Sequence, residues 1–154
     1  MGDVLVGTCS WAEKSLIESR EFYPSNIRTA EERLRYYAER FSTVEVDSTY
    51  YAIPLKNTVF LWSVRTPEGF IFHIKAYGAL TGHGISPKTL PSDLKGELPK
   101  EALEKERLYL KARALIEELF RRFKDSLIPL KERGKLGLIV FQFPPWFRYS
   151  KKSL

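Results

Sequence analysis

The chain has 154 residues, of which 44% are hydrophobic and 29% are charged, a balance typical of one folded domain that excludes a disordered chain. Its formal net charge of +6 permits attraction to phosphate, nucleic acid or an acidic membrane, although charges of both signs alternate over residues 101–125 as on a solvated helix face. The single cysteine excludes an internal disulfide and a multi-thiolate metal site, and the lack of a leader pattern or of a run of ~20 apolar residues predicts a cytoplasmic protein without a membrane partner.

Strands and helices are predicted to alternate along the chain. Apolar and β-branched runs predict four strands, at residues 4–7, 43–47, 70–75 and 136–142. Amphipathic spacing predicts three main helices between them, at residues 30–41, 56–65 and 99–125. Thr29 is expected to cap the first helix, with Glu32 completing a capping box. This order predicts an α/β fold in one domain over residues 1–154, with a parallel sheet covered by helices.

Two stretches between these elements are predicted to be loops. Residues 12–29 are polar and carry the aromatic anchor Phe22-Tyr23-Pro24. Residues 78–100 hold three prolines and four glycines, which indicates a long loop. Because long loops in compact domains are often functional, this segment is a candidate part of a binding site.

Ionisable side chains share one face of two neighbouring predicted strands. Successive side chains on a strand point to opposite faces, so Glu45 and Asp47 lie together, as do His73 and Lys75. A lysine and a histidine opposite two carboxylates would offset the cost of burying those charges. The four groups would also shift one another's pKa values, as active sites require. We therefore predict these four as catalytic residues. A polar network that only stabilises the sheet is the alternative.

Ligands of parallel sheets bind beyond the carboxyl ends of the strands. Residues that follow the predicted strands, or lie in the glycine-rich loop, are therefore predicted to bind the ligand: Thr8, Ser10, Trp11, Ser48, Tyr51, His83 and Gln142. An ordinary surface histidine explains His83 as well. An aromatic cleft and plain core packing are both open for five aromatic side chains: Trp11, Tyr50, Tyr51, Trp146 and Phe147.

The residue types for a metal centre are scarce. With two histidines and one cysteine, a zinc site would need carboxylates, so we predict no metal. Cys9 has no partner visible in the sequence and is expected to be a small buried thiol. No motif identifies a cofactor.

Several segments resemble, in the same order, those of the domain-of-unknown-function 72 family. Residues 6–11 resemble its Gly-Thr-Ser-Gly-Trp opening, with Cys9 and Ser10 in place of the usual serine and glycine. The family's most specific block matches residues 43–51, and its Gln-(Leu/Phe)-Pro-Pro segment matches residues 142–145. The resemblance implies a TIM-type (β/α)8 barrel. Such a barrel takes ~250 residues and the family's later motifs are absent, so this chain would hold about the first four β/α units.

The resemblance implies no reaction, and three functions stay open. The first is an enzyme or enzyme remnant that acts on a small polar or phosphorylated ligand, with Asp47 or Glu45 as base and Lys75 as electrostatic stabiliser. The second is a nucleic-acid-binding protein that uses its basic surface. The third is a truncated half-barrel without independent function, whose open strand edges pair with another copy or with a complementary barrel half.

Overall fold

The structure, a computed structural model, describes residues 4–148 and residue 150. Its strands are β1 (Thr43–Val46), β2 (Ile71–Lys75) and β3 (Leu136–Val140). Its helices are α1 (Lys14–Glu18), α2 (Ala30–Ala38), α3 (Ser48–Tyr51), α4 (Lys56–Val64), α5 (Ser92–Lys95), α6 (Lys100–Leu103), α7 (Arg113–Ser126) and α8 (Ile128–Glu132). Two 3-10 turns cover Gly78–Thr81 and Pro87–Thr89.

The three strands form one parallel sheet in the order β1-β2-β3. The predicted α/β class with a parallel sheet is thus confirmed. The sheet is open, with β1 and β3 as its outer strands in the part of the chain that the structure describes. A closed barrel therefore stays a prediction from the family resemblance.

The prediction of a strand at residues 4–7 is wrong. One isolated bridge forms just after these residues, between Cys9 and Glu45: the Ser10 amide donates to the Glu45 carbonyl at 2.8 Å, and the Glu45 amide donates to the Thr8 carbonyl at 3.1 Å. The buried Tyr37 hydroxyl takes the place of the preceding ladder bonds, because it accepts from the Thr8 amide at 2.7 Å and donates to the Thr43 carbonyl at 3.1 Å. A tyrosine from α2 therefore ends the pairing that a strand would have continued.

The helices cover one face of the sheet. Along β2, Phe72 and Ile74 are buried while Ile71, His73 and Lys75 are partly exposed, so the predicted alternation is confirmed. The core on the covered face combines apolar side chains of the sheet with those of α2, α4, α7 and α8: Leu34, Tyr37, Val44, Val46, Val59, Trp62, Phe72, Ile74, Leu119, Phe123 and Leu130. The opposite face, which carries Glu45 and Lys75, has no helix of this core on it. It is the face on which polar side chains can meet a ligand.

Local capping and a long-range contact decide where two helices begin and end. Thr29 and Glu32 form the predicted capping box at the start of α2. The predicted helix at residues 99–125 is instead divided into α6 and α7. Between them, Leu108 is buried and exchanges two backbone hydrogen bonds with Ile85, at 2.8 and 3.0 Å. This pairing with the long loop replaces helical hydrogen bonds over the middle of the segment.

A bulge in β3 accommodates the side chain of His73. The register shifts between Phe72 and Ile74, so β3 carries one extra residue there, and the Leu138 amide donates to His73 Nδ1 at 2.9 Å. Gly137 makes room for this contact, because a Cβ at that position would lie 2.7 Å from the imidazole. His73 therefore supplies an acceptor for an amide that the bulge leaves without a strand partner.

We expect Gly137→Ala to lower the free energy of unfolding by about 1 to 2 kcal/mol, because the added methyl must displace the side chains of Ile71 and His73. Gly96→Ala is the matched control. Gly96 has a right-handed φ of −63°, and its nearest neighbour to a Cβ is 3.9 Å away, so alanine should be neutral or slightly stabilising. Denaturant unfolding of the two variants measures the difference. Equal stabilities would contradict this account of the bulge.

Candidate functional site

Four side chains meet on the open face of the sheet, near the carboxyl ends of β1 and β2. Lys75, the last residue of β2, places its ammonium 3.2 Å from Asp47 Oδ1, one residue beyond β1. Cys9 Sγ and carboxylate oxygens of Glu45 and Asp47 all lie within 4.8 Å of one another. We call Cys9, Glu45, Asp47 and Lys75 the sheet-face cluster.

The strand ends that carry this cluster are tied together. The Thr49 hydroxyl, buried in α3, lies 2.8 Å from the Val46 carbonyl oxygen and 2.6 Å from the Lys75 carbonyl oxygen. The Tyr50 amide donates to the Asp47 carbonyl at 3.0 Å, which starts the turn of α3 directly after β1. The carboxylate and the ammonium are therefore held on neighbouring, fixed backbone positions.

The charges of the cluster shift the pKa values of its members. Burial raises the pKa of Glu45, the hydrogen bond and the charge of Asp47 raise it further, and Lys75 and His73 oppose the shift. Burial acts against the Lys75 ammonium, but the hydrogen bond and charge of Asp47, followed by Glu45, raise the pKa of Lys75 overall. Glu45 is thus the carboxyl group that holds a proton more readily than an ordinary glutamate, beside a lysine that stays charged.

Cys9 belongs to the cluster and is exposed, so the expectation of a buried thiol is wrong. Because Cys9 pairs with Glu45 across the bridge, its side chain lies on the open face rather than in the core. Burial raises the pKa of the thiol, the charges of Glu45 and Asp47 add to this, and Lys75 opposes it. The residue is therefore a neutral thiol rather than an activated thiolate.

In the described part of the chain, three members of the cluster could together hold a metal ion: Cys9, Glu45 and Asp47. Their spacing suits a divalent cation, but the Lys75 ammonium already lies against Asp47 and competes for that position. The expectation of no metal stays a prediction.

Aromatic side chains extend the cluster toward the long loop. The Lys75 ammonium lies 5.6 Å from the centroid of the Tyr50 ring, and that ring meets the His83 imidazole edge to face at 5.3 Å. Trp146 approaches His83 from beyond β3, at 6.4 Å between ring centroids. Burial and the charge of Lys75 both lower the pKa of His83, and its Nδ1 lies 2.8 Å from the Thr81 hydroxyl. The predicted ligand-binding histidine is therefore connected to the sheet-face cluster through the Tyr50 ring, and its lowered pKa favours the neutral imidazole.

A cavity of about 370 Å³ opens beside Tyr50. Tyr51 and Arg107 contribute to its wall, together with Gly84 of the long loop and Glu106. The cavity is large enough for a small ligand. No member of the sheet-face cluster lines the cavity; Tyr50, whose ring centroid lies 5.6 Å from the Lys75 ammonium, connects the two places.

The other predicted ligand-binding residues divide between the core, the backbone and the surface. Trp11, predicted to bind the ligand, is instead buried in the core against Trp62 and Phe72, on the helix-covered side of the sheet. The Thr8 hydroxyl bonds the Ser10 carbonyl and the Tyr37 hydroxyl, and the Ser10 hydroxyl accepts from the Ala12 amide.

The residues after the strands remain open to solvent. Ser48 and Tyr51 are exposed in α3, and Tyr51 lines the cavity. Gln142 is exposed two residues after β3 ends. Cys9 is a cluster member that was not among the predicted site residues. Tyr50, predicted either to line an aromatic cleft or to pack in the core, lies near Lys75 and lines the cavity. Strand parity extended back to the first segment could have signalled Cys9.

Comparisons with known proteins give the family of the chain. Residues 5–154 match the model of a family described as "Protein of unknown function DUF72". The UPF0759 protein YunF of Bacillus subtilis (strain 168) is 32% identical over 152 residues, which are 98% of this chain and 43% of that protein.

Two crystal structures of a DUF72 family protein from Enterococcus faecalis V583 are also similar. One has 28% identity, covers 78% of this chain and 39% of the other, and has a TM-score of 0.55. The second has 25% identity, covers 94% and 42%, and has a TM-score of 0.60. The chain thus spans less than half the length of each of these relatives. Within the described residues, no helix combines the length and the apolar character needed to cross a membrane.

Proposed function

Since this chain belongs to the DUF72 family, whose description assigns no reaction, we propose that its sheet-face cluster binds a small polar or phosphorylated ligand and carries out acid–base chemistry on it. Glu45 is the proton-carrying group, and Lys75 stabilises negative charge on the ligand. The observation that carries the proposal is the ion pair of Lys75 with Asp47 at 3.2 Å, within reach of a second carboxyl group and beside a cavity.

The position of the cluster favours binding over a purely structural role. The side chains of Lys75 and Asp47 are 20% and 35% exposed, so parts of both are open to solvent and ligands, although the Asp47 Oδ1 that faces the ammonium is itself shielded. Ion pairs that are open to water contribute only about 0 to 1 kcal/mol to stability. Stability alone does not explain the second carboxyl group, because the carboxylates of Glu45 and Asp47 repel each other when both are charged.

The proposal is tested by NMR titration of the protein with inorganic phosphate and with a set of small polar compounds. We expect Lys75→Met and Glu45→Gln to weaken binding of any ligand that contacts the cluster by about ten-fold or more. Lys56→Met, which removes an exposed lysine at the start of α4, is the matched control and should leave affinity within about two-fold.

Two further readouts separate binding from a structural role. Lys75→Met should raise the pKa of Glu45, because the lysine opposes the existing upward shift, and carboxyl NMR measures this directly. The free energy of unfolding should fall by less than about 1 kcal/mol. Ligand signals that appear only away from Glu45, Asp47 and Lys75 would count decisively against the proposal.

The nucleic-acid alternative receives no support from the arrangement of charge on α7. Arg113, Arg121 and Arg122 each pair with a carboxylate at 2.5 to 2.7 Å, as expected of a solvated, salt-bridged surface. Nucleic-acid binding stays a prediction, which salt-dependent retention on immobilised DNA or RNA would reveal.

Exposed apolar side chains along and after β3 support a second proposal, that the chain pairs with itself or with a polypeptide that supplies a neighbouring strand. We call Leu138, Ile139, Phe141, Phe143 and Phe147 the β3 surface. All five are exposed, from 37% for Ile139 to 68% for Leu138. In the described part of the chain, β3 pairs with β2 alone, so its outer edge is open for a further strand.

A further inference from the structure

A pocket of about 350 Å³ lies between α1, the loop that follows it and α2. Arg20 and Arg33 line it together with Ser25 and the apolar side chains of Ile17, Tyr23 and Ile27. No member of the sheet-face cluster contributes to its wall. The pocket therefore combines two cations with an apolar surface at a separate place in the fold.

Neither cation of this pocket forms an ion pair with a carboxylate of the described residues. Among the residues that the structure describes, Arg20 and Arg33 take part in no ion pair. The Nε of Arg33 is shielded from solvent and has no hydrogen-bond partner. A shielded N–H donor without an acceptor is unfavourable, and an anionic oxygen within reach of the Arg33 Nε would relieve that cost.

The carboxylates of α1 and α2 are engaged elsewhere. Glu18 pairs with Lys14 at 3.5 Å, and Glu31 pairs with Arg35 at 3.0 Å. Glu32 is held in the capping box at the start of α2. These side chains therefore cannot neutralise the pocket without giving up the contacts that they already make.

The remaining polar groups agree with an anionic ligand. The Tyr23 hydroxyl donates to the Trp11 carbonyl, and burial, helped by Tyr37 and opposed by Arg33, raises the pKa of Tyr23 to about 12, so it supplies no negative charge. Arg20 adopts a left-handed backbone conformation, with φ of 59°. Such conformations cost energy for residues other than glycine and occur often where side chains bind ligands.

We propose that this pocket binds a small organic oxyanion, a carboxylate or a phosphate ester, whose charged group meets the Arg20 and Arg33 guanidiniums and whose apolar part lies against Ile17 and Ile27. Guanidinium groups match both kinds of oxyanion through paired hydrogen bonds. The site is independent of the chemistry proposed for the sheet face.

The experiment titrates the full chain with phenyl phosphate, benzoate and inorganic phosphate at constant ionic strength, followed by isoleucine-methyl NMR. We expect phenyl phosphate or benzoate to give saturable shifts at Ile17 and Ile27 below about 10 mM. Weaker binding of inorganic phosphate than of phenyl phosphate would support the apolar contribution. The relative affinities of phenyl phosphate and benzoate distinguish a phosphate ester from a carboxylate ligand.

Four variants decide which residues bind. Arg33→Gln and Arg20→Gln should each weaken binding by about ten-fold, and the exposed Arg20 position keeps the test valid if Arg33→Gln misfolds. Arg35→Gln removes the same charge from α2 outside the pocket and should change affinity by less than about two-fold. Lys75→Met should leave these shifts unchanged, which separates this site from the sheet-face cluster. Absence of saturable shifts, or an equal loss with Arg35→Gln, would overturn the proposal.

Discussion

Replacing Lys135 with methionine is expected to lower the free energy of unfolding by about 2 to 4 kcal/mol. Lys135 is buried, with 7% of its surface exposed. Its ammonium donates to the Ser63 carbonyl at 2.7 Å, to the Thr66 carbonyl at 2.6 Å and to the Thr66 hydroxyl at 3.0 Å. Methionine fills a similar volume but leaves these acceptors without a donor.

The position of Lys135 explains why its loss should be costly. Ser63 lies in the last turn of α4, where carbonyl groups have no partner within the helix and a positive charge is favourable. Lys135 directly precedes β3, and its carbonyl accepts from the Phe72 amide at 2.8 Å. The residue therefore joins the end of α4 to the start of the β2–β3 pairing. Burial lowers the pKa of Lys135, so desolvation offsets part of the gain from the three hydrogen bonds.

Guanidinium-induced unfolding followed by tryptophan fluorescence measures the effect, since Trp11 and Trp62 are buried in the core. Lys131→Met is the control, because Lys131 is exposed on α8 and its replacement should change stability by less than about 0.5 kcal/mol. If Lys135→Met were as stable as this control, the ammonium would not be the link between α4 and β3.

The chain of 154 residues should self-associate in solution, and Leu138→Lys should weaken that association by about ten-fold or more. Leu138 is the most exposed member of the β3 surface, at 68%. Two ring pairs continue the apolar area, Phe143 with Phe147 at 4.5 Å and Phe120 with Phe141 at 6.4 Å. An open strand edge beside exposed apolar side chains favours pairing with another strand, and a lysine opposes it through its charge and hydration.

Sedimentation velocity over a concentration series measures the association. Leu55→Lys is the matched control, because Leu55 is 76% exposed at the start of α4 and lies outside the β3 surface. We expect this control to associate like the unchanged chain. A monodisperse monomer that melts cooperatively would refute the prediction, and an equal loss of association in both variants would show that general solubility, rather than the β3 surface, governs it.

Much of the architecture follows from local patterns. Alternation along residues 70–75 separated buried Phe72 and Ile74 from Lys75 on the open face. The same parity placed Glu45 and Asp47 where the structure brings them to Lys75. Such patterns are readable because a strand has a period of two whatever surrounds it.

The secondary-structure predictions fail where a residue distant in sequence competes for the hydrogen bonds of a predicted strand or helix. The first segment does not form a strand, because the Tyr37 hydroxyl takes the bonds of Thr8 and Thr43 that a ladder would use. The predicted helix at residues 99–125 is interrupted where Leu108 pairs with Ile85. Neither partner is near in sequence, so no window of residues reveals the competition.

The sequence by itself determined the α/β class, the capped start of α2 and the ionisable face of the sheet, because each depends on the spacing of a few neighbouring residues. Only the tertiary structure decided that Trp11 packs in the core, that Cys9 joins Glu45 on the open face and that His83 reaches Tyr50. These contacts depend on how separate elements pack, and packing is settled by the shape and polarity of whole surfaces rather than by any local repeat.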